Sequence, residues 1–376
     1  MFLALKEMRY SKWRYALVMG VIFLVSYMVF MMSGLATGLS SGHKKAIDDW
    51  NASSVVLTED ANKVFGASQL TRGDLDRVST ASSSDKSGVG LYQGSVTKGS
   101  TKENISLFGS DASAFTTPAV TQGTNYSGKY DITISQNLVD EGFAIGDTVR
   151  IGNLDHDLTI TGIFKSTTYS VVPVIYTSLD TWTSIKYGTQ PFNEDASKPL
   201  NAVVIRGTSG VTIDNSTATR QSATAERTGS TAKLQKLDMA TFVNNVPGVS
   251  AEALTFNGMI GLLVVITAAI VGIFMYVITL QKTAIFGVMK AEGVRTGFIA
   301  RSVVAQSFVV GVASVAIAYL LAWLSSLAFP AAMPFVADLG KWALYGVLLV
   351  VVTVVGGLFS VRTVARVDPI TAMGEE

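Results

Sequence analysis

Cysteine is absent from the 376 residues, and histidine occurs only as His43 and His156. The first absence excludes disulfide frameworks, thiolate metal sites, iron–sulfur clusters and cysteine nucleophiles together. The second leaves no His-x-x-x-His pair, so no resident metal is expected. Charge is also scarce. Only 15% of residues are Asp, Glu, Lys or Arg, and 29 basic against 28 acidic side chains leave a net charge of +1. No basic field exists to hold nucleic acid. The phosphate-cradling pattern Gly-x-x-x-x-Gly-Lys-Ser/Thr is missing, so the chain brings no P-loop ATP site of its own.

What is present is apolar: 48% hydrophobic residues, 34 glycines and a mean hydropathy of +0.38. Four windows, 15–42, 253–281, 302–337 and 342–361, contain no Asp, Glu, Lys or Arg. Each is long enough for one membrane-spanning helix, since a hydrocarbon core of roughly 30 Å takes about 20 helical residues. Pro330 and Pro334 place the end of the third span at 329. The first window follows Lys6, Arg9, Lys12 and Arg14, but it is too long and lacks the cleavage site of a signal peptide, so an uncleaved anchor is expected. Basic residues before the first span and at Lys282, Lys290, Arg295 and Arg301 put both flanks, and with four spans both termini, in the cytoplasm of a plasma-membrane protein.

The expected division is a cytoplasmic flank 1–14, spans 15–42, 253–281, 302–329 and 342–361, an extracytoplasmic domain 43–252, a cytoplasmic coupling segment 282–301, a short outer loop 330–341 and a cytoplasmic tail 362–376. The fold class is an α-helical membrane protein with four transmembrane helices plus an α+β extracytoplasmic domain between the first and second. That domain carries 18 basic and 22 acidic residues. Strands are expected at 54–57, 89–92, 105–108, 148–151, 158–163, 171–176 and 202–205. A helix is expected over 68–80 with Thr71 and Asp74 as caps, a Ser/Thr-rich surface loop over 211–230, and an amphipathic helix over 234–246 running on into the second span.

The segment Gln281-Lys-Thr-Ala-Ile-Phe-Gly-Val-Met-Lys-Ala-Glu-Gly-Val-Arg resembles the stretch after the second span in FtsX/MacB-type ABC permeases. The tail Val364-Ala-Arg-Val-Asp-Pro-Ile-Thr-Ala-Met is similar to that family's ending, and Ile134-Ser-Gln-Asn-Leu-Val with Gly146-Asp-Thr-Val-Arg-Ile resembles its strand and Gly-Asp turn. Two departures stand out: where the family usually has a glutamate before Ile-Gly, the matching positions read Ala284, Ile285, Phe286 and Gly287, and Glu292 replaces the usual leucine. The resemblance implies a permease driven by two copies of a separate ABC ATPase that holds the ATP and Mg, a homodimer of this chain, and no catalysis by the chain itself. Its short basic N-terminus resembles haem-export and glycolipid-export members, with haem as the transported substrate.

On that reading, Tyr27, Met28, Met31 and Met32 on the first span, with Phe256 and Met259 on the second, form the haem candidate site, because thioethers and phenolates ligate haem iron. Met is also ordinary filler in apolar helices. Phe286, Gly287, Val288, Met289 and Lys290 form the ATPase-coupling segment, with Phe286 and Met289 on one helical face as its knobs. Gly34 and Gly38 form a GxxxG pair for dimer packing, and Gly258, Gly261, Ala268, Ala269 and Gly272 a second small-residue stripe. His43, beside Lys44 and Lys45, reads as an exposed loop residue, and His156 as a turn residue. The competing function is an FtsX-like transmitter that activates an extracellular cell-wall hydrolase.

Overall fold

The computed structural model describes residues 12–152, 154–188, 192, 195–207, 210–215, 232–330 and 333–366, with side chains to 359 in the last helix. The expectations for 1–11, for most of the 211–230 loop and for the Asp-Pro ending lie outside these residues. The chain divides into two units, Met1–Gly38 with Glu252–Glu376, and Leu39–Ala251.

Helix α1, Lys12–Asp48, begins in the first unit and ends in the second. Nine main strands follow within the second: β1 Ser54–Thr58, β2 Lys86–Lys98, β3 Thr101–Gly109, β4 Asp131–Ser135, β5 Thr148–Ile151, β6 Leu158–Phe164, β7 Val172–Thr177, β8 Ala202–Ile205 and β9 Leu234–Asp238. Three short helices accompany them, α2 Gln136–Asp140, α3 Leu179–Tyr187 and α4 Met239–Asn244. Six strands pair in a ring, β2 to β3, β7, β4, β6, β5 and back to β2, so the sheet closes into a barrel. The first residues of the long β2 leave the ring to pair with β8, which continues through β1 to β9.

Alternation of side chains divides the interior in two. Val96, Ile105, Ile132, Val149, Ile160 and Ile175, one from each ring strand, belong to an aliphatic core. The opposite faces build an aromatic core in which Trp50, Phe65, Tyr169 and Tyr176 each lie within 6.2 Å of Phe108, ring centre to ring centre. Trp182 of α3 is fully buried against the cross-strand pair Gly90 and Gly109; a Cβ at either glycine would sit 2.3 or 2.4 Å from it. One turn on, the Lys186 ammonium donates to the Leu91 carbonyl and Asn201 Oδ1 and lies over the Trp182 ring. Burial pushes its pKa down to about 8.

The last turns of α1 are pinned in this unit. Ser170 and Val171, both at positive φ, form a tight turn whose N–H groups donate to the carbonyls of His43 and Gly42. His43 is therefore 7% exposed and packs against Gly248, rather than standing in a loop. Residues 68–80 also differ from expectation. Thr71 and Asp74 do form a capping box, but only over the 3-10 turn Arg72–Leu75, because Leu70 and Val78 are drawn into pairs with Leu200 and Ile213.

The continuous helix expected over 234–246 is not formed. Leu234–Asp238 is strand β9, α4 ends at Asn244, and Pro247 and Gly248, at φ +97°, separate it from helix α5, Val249–Leu280. Leu234 and Leu237 are three apart, which mimics a helical face, yet in the strand they enter the aliphatic and aromatic cores respectively.

The first unit is helical: α5 is followed by α6, Thr283–Ala291, α7, Thr296–Leu327, and α8, Leu339–Arg366. Helices α1, α5, α7 and α8 are long and apolar enough to cross a membrane. Small residues bring them together. Gly311 faces Thr353 and Gly357 faces Ser307 between α7 and α8, while Gly356 abuts the backbone of Ala268 and Gly272 on α5.

Candidate functional site

The methionine face of α1 is split by its packing. Met28 is 49% exposed, whereas Met31 and Met32 pack partly against the helical core. Tyr27 shares a hydrogen bond of 3.1 Å with Ser325 of α7 and stacks on Phe23, so its hydroxyl is already engaged. On α5, Met259 is 40% exposed and Phe256 is half-buried. Among the described residues no hydrogen bond or ring contact joins the α1 set to Phe256 or Met259.

Gly34 and Gly38 do not offer a free face for a second copy. The Phe335 ring fills the space over Gly34, and the Pro334 carbonyl lies over Gly38, where a Cβ would meet it at 2.2 Å. The Val336 N–H donates to the Gly34 carbonyl at 3.1 Å. The pair is a notch for the chain's own 333–338 segment, and Phe335 continues from it into an aromatic cluster with Phe329 and Trp342. Ala268 and Gly272 are likewise used within the chain, while Gly258 and Gly261 face open space.

Helix α6 forms where the coupling segment was expected, but its apolar residues divide differently. Phe286 is 4% exposed in the helical core and Met289 packs partly against it. The outward residues are Ile285 and Val288, 58% and 46% exposed. Lys282, the residue before α6, reaches the Tyr15 hydroxyl at 3.2 Å, and that hydroxyl donates to Gln306 Oε1 at 2.5 Å. This link between α1, α7 and the start of α6 is not legible from charge, because the apolar windows hold no charged residue. Gln306, a lone amide in the third window, was the available signal.

Gly38-Leu-Ser-Ser-Gly42 spells a nucleophile-elbow pattern, but it lies inside α1 rather than at a strand-to-helix turn, so it lacks the geometry that exposes a catalytic serine.

Residues 15–225 match the MacB-like periplasmic core domain family, and residues 257–369 match the FtsX-like permease C-terminal family. The chain belongs to the MacB/FtsX type of ABC transporter permease. A permease protein named for hemin transport, HrtB of Staphylococcus haemolyticus, is similar to it, 26% identical over 385 residues covering 100% of this chain and 99% of the relative. An uncharacterized ABC transporter permease of Mycobacterium tuberculosis is 23% identical with the same coverages. The solved periplasmic region of MacB from Actinobacillus actinomycetemcomitans matches at 10% identity and a TM-score of 0.33, over 54% of this chain and 98% of that one. This MacB/FtsX-type permease is thus a multi-pass membrane protein with an extracytoplasmic α/β domain, and membership in an ABC system implies an ATPase partner.

Proposed function

We propose that the permease exports haem, or a similarly flat amphipathic molecule, from the plasma membrane, and that two copies work with two separate ATPase subunits. The observation that carries this reading is the full-length similarity, over 99% of the relative, to permeases named for hemin transport. Positive flanks at Lys12, Arg14, Lys282 and Lys290 support cytoplasmic termini, with α6 at the inner face. The outward residues Ile285 and Val288 are its docking surface for the ATPase. The Lys282–Tyr15–Gln306 link supports a lever in which movement of α6 is passed to α1 and α7. The open face of α5 at Gly258 and Gly261 is the packing surface for the second copy, in place of the filled Gly34 notch.

Met28 is the first candidate ligand to haem iron, because its thioether is exposed on α1 while Tyr27 is bonded to Ser325. Titrating haem into the purified permease–ATPase complex tests the reading. A Soret shift that Met28→Leu weakens, with loss of haem-stimulated ATP hydrolysis, supports it. A wild-type complex that gives no shift removes haem as substrate and favours a glycolipid cargo or a signal transmitter.

A further inference from the structure

A trough of about 450 Å³ runs along α7 and α8, lined by Ala300, Arg301, Val304, Ala305, Phe308, Val354 and Leu358. It flanks the seam where Gly311 meets Thr353 and Gly357 meets Ser307. Its walls are hydrocarbon except at one end, where Arg301 stands exposed and makes no ion pair with any described residue. Arg301 is the last charge before the charge-free window that starts at 302. A spanning helix must leave its charge-free part in the hydrocarbon, so Arg301 falls at headgroup depth. From there to Phe308 the trough follows α7 for about 11 Å, at 1.5 Å per residue.

We infer that this trough holds one anionic phospholipid, an acyl chain between Val304, Ala305, Val354 and Leu358 and the phosphate on the Arg301 guanidinium. A guanidinium offers a planar fork that matches two phosphate oxygens, and none of the described residues that line the trough is a carboxylate. The small side chains Ala300 and Ala305 make a groove rather than a ridge, so a chain lying there touches both helices at once. Free phosphate would gain only the Arg301 contact and a neutral lipid only the trough, so an anionic lipid alone uses both.

The full chain in detergent, mixed with equal amounts of phosphatidylglycerol and phosphatidylcholine bearing identical acyl chains, is examined by native mass spectrometry. Wild type is expected to retain one phosphatidylglycerol in about fivefold preference, the ratio that ~1 kcal/mol per basic residue at a membrane surface gives. Arg301→Gln should bring the preference to unity while lipid is still retained. Ala305→Leu, which narrows the trough, should lower retention of both lipids, with Ala300→Leu as a second filling variant. Equal retention of both lipids by wild type, or an undiminished preference in Arg301→Gln, overturns the inference. So does loss of dimer rather than of lipid in the filled variants, which would make the trough a contact between copies.

Discussion

If Ile285 and Val288 are what α6 presents to the ATPase, trimming them weakens docking without disturbing the fold. Complete burial of such a side chain contributes about 1.5–3 kcal/mol, and roughly half of each remains exposed, so each has about 1 kcal/mol left to gain. Ile285→Ala with Val288→Ala therefore removes about 2 kcal/mol per docked helix, which is about a thirtyfold weaker association. The assay is ATP hydrolysis by the partner as a function of permease concentration in nanodiscs. The half-stimulating concentration should rise about thirtyfold, while the permease stays folded and loses no more than about 2 kcal/mol of stability, the share of the two side chains that is already buried. Phe286→Ala should behave oppositely, costing about 3–5 kcal/mol of folding because that ring is core. A double alanine variant that stimulates at the wild-type concentration refutes the assignment of this face.

Gly34→Leu should eject Phe335 from its notch while leaving dimer cross-linking at the wild-type level; because the chain has no cysteine, labelling of an introduced Val336→Cys should report the opening as a faster reaction. Gly90→Ala should destabilise the barrel by about 1–3 kcal/mol, since its Cβ would enter the Trp182 ring, and the cost should largely vanish beside Trp182→Ala. Hydrogen exchange of the β2–β3 amides in the full chain measures both. Lys186 gives a pH dependence: between pH 8 and its ordinary 10.5 the unfolded chain keeps a proton that the folded one has lost, so stability should rise with pH by at most about 3 kcal/mol. Lys186→Met should remove that contribution, seen as a less favourable change in amide protection from pH 8 to pH 10 in the variant than in wild type, the buried tyrosines such as Tyr126 and Tyr176 opposing the rise equally in both.

Much of the architecture is legible because membrane solvation leaves little choice. Four charge-free windows force four helices, and the observed ones extend beyond each window on at least one side because polar residues such as Lys12, Lys44 and Glu252 remain helical past the apolar stretch. Strands β1 and β8 are legible as short β-branched runs buried on both faces. Strand β4, Asp-Ile-Thr-Ile-Ser, carries the alternation of a half-buried strand, and what that pattern does not foretell is that Thr133 and Ser135 are buried as well. The site is less legible than the fold. Which face of α6 points outward, and what fills the Gly34 notch, depend on residues that arrive from Phe335 or from the far side of the bundle, and spacing along one helix carries no record of them.

The closed ring also dictates how the domain must be made. Strand β7 is the last of the six to be synthesised, yet it takes a place between β3 and β4, which are both earlier. Strand β1 waits longer still, because Ser54 finds Ile205 about 150 residues later. A nascent chain emerging across the membrane therefore displays unpaired strand edges until residue 177 has passed, and its first strand stays single until β8 follows. Such non-local pairing closes slowly and as one event. Truncations before Val172 should leave aggregation-prone fragments rather than a smaller folded domain.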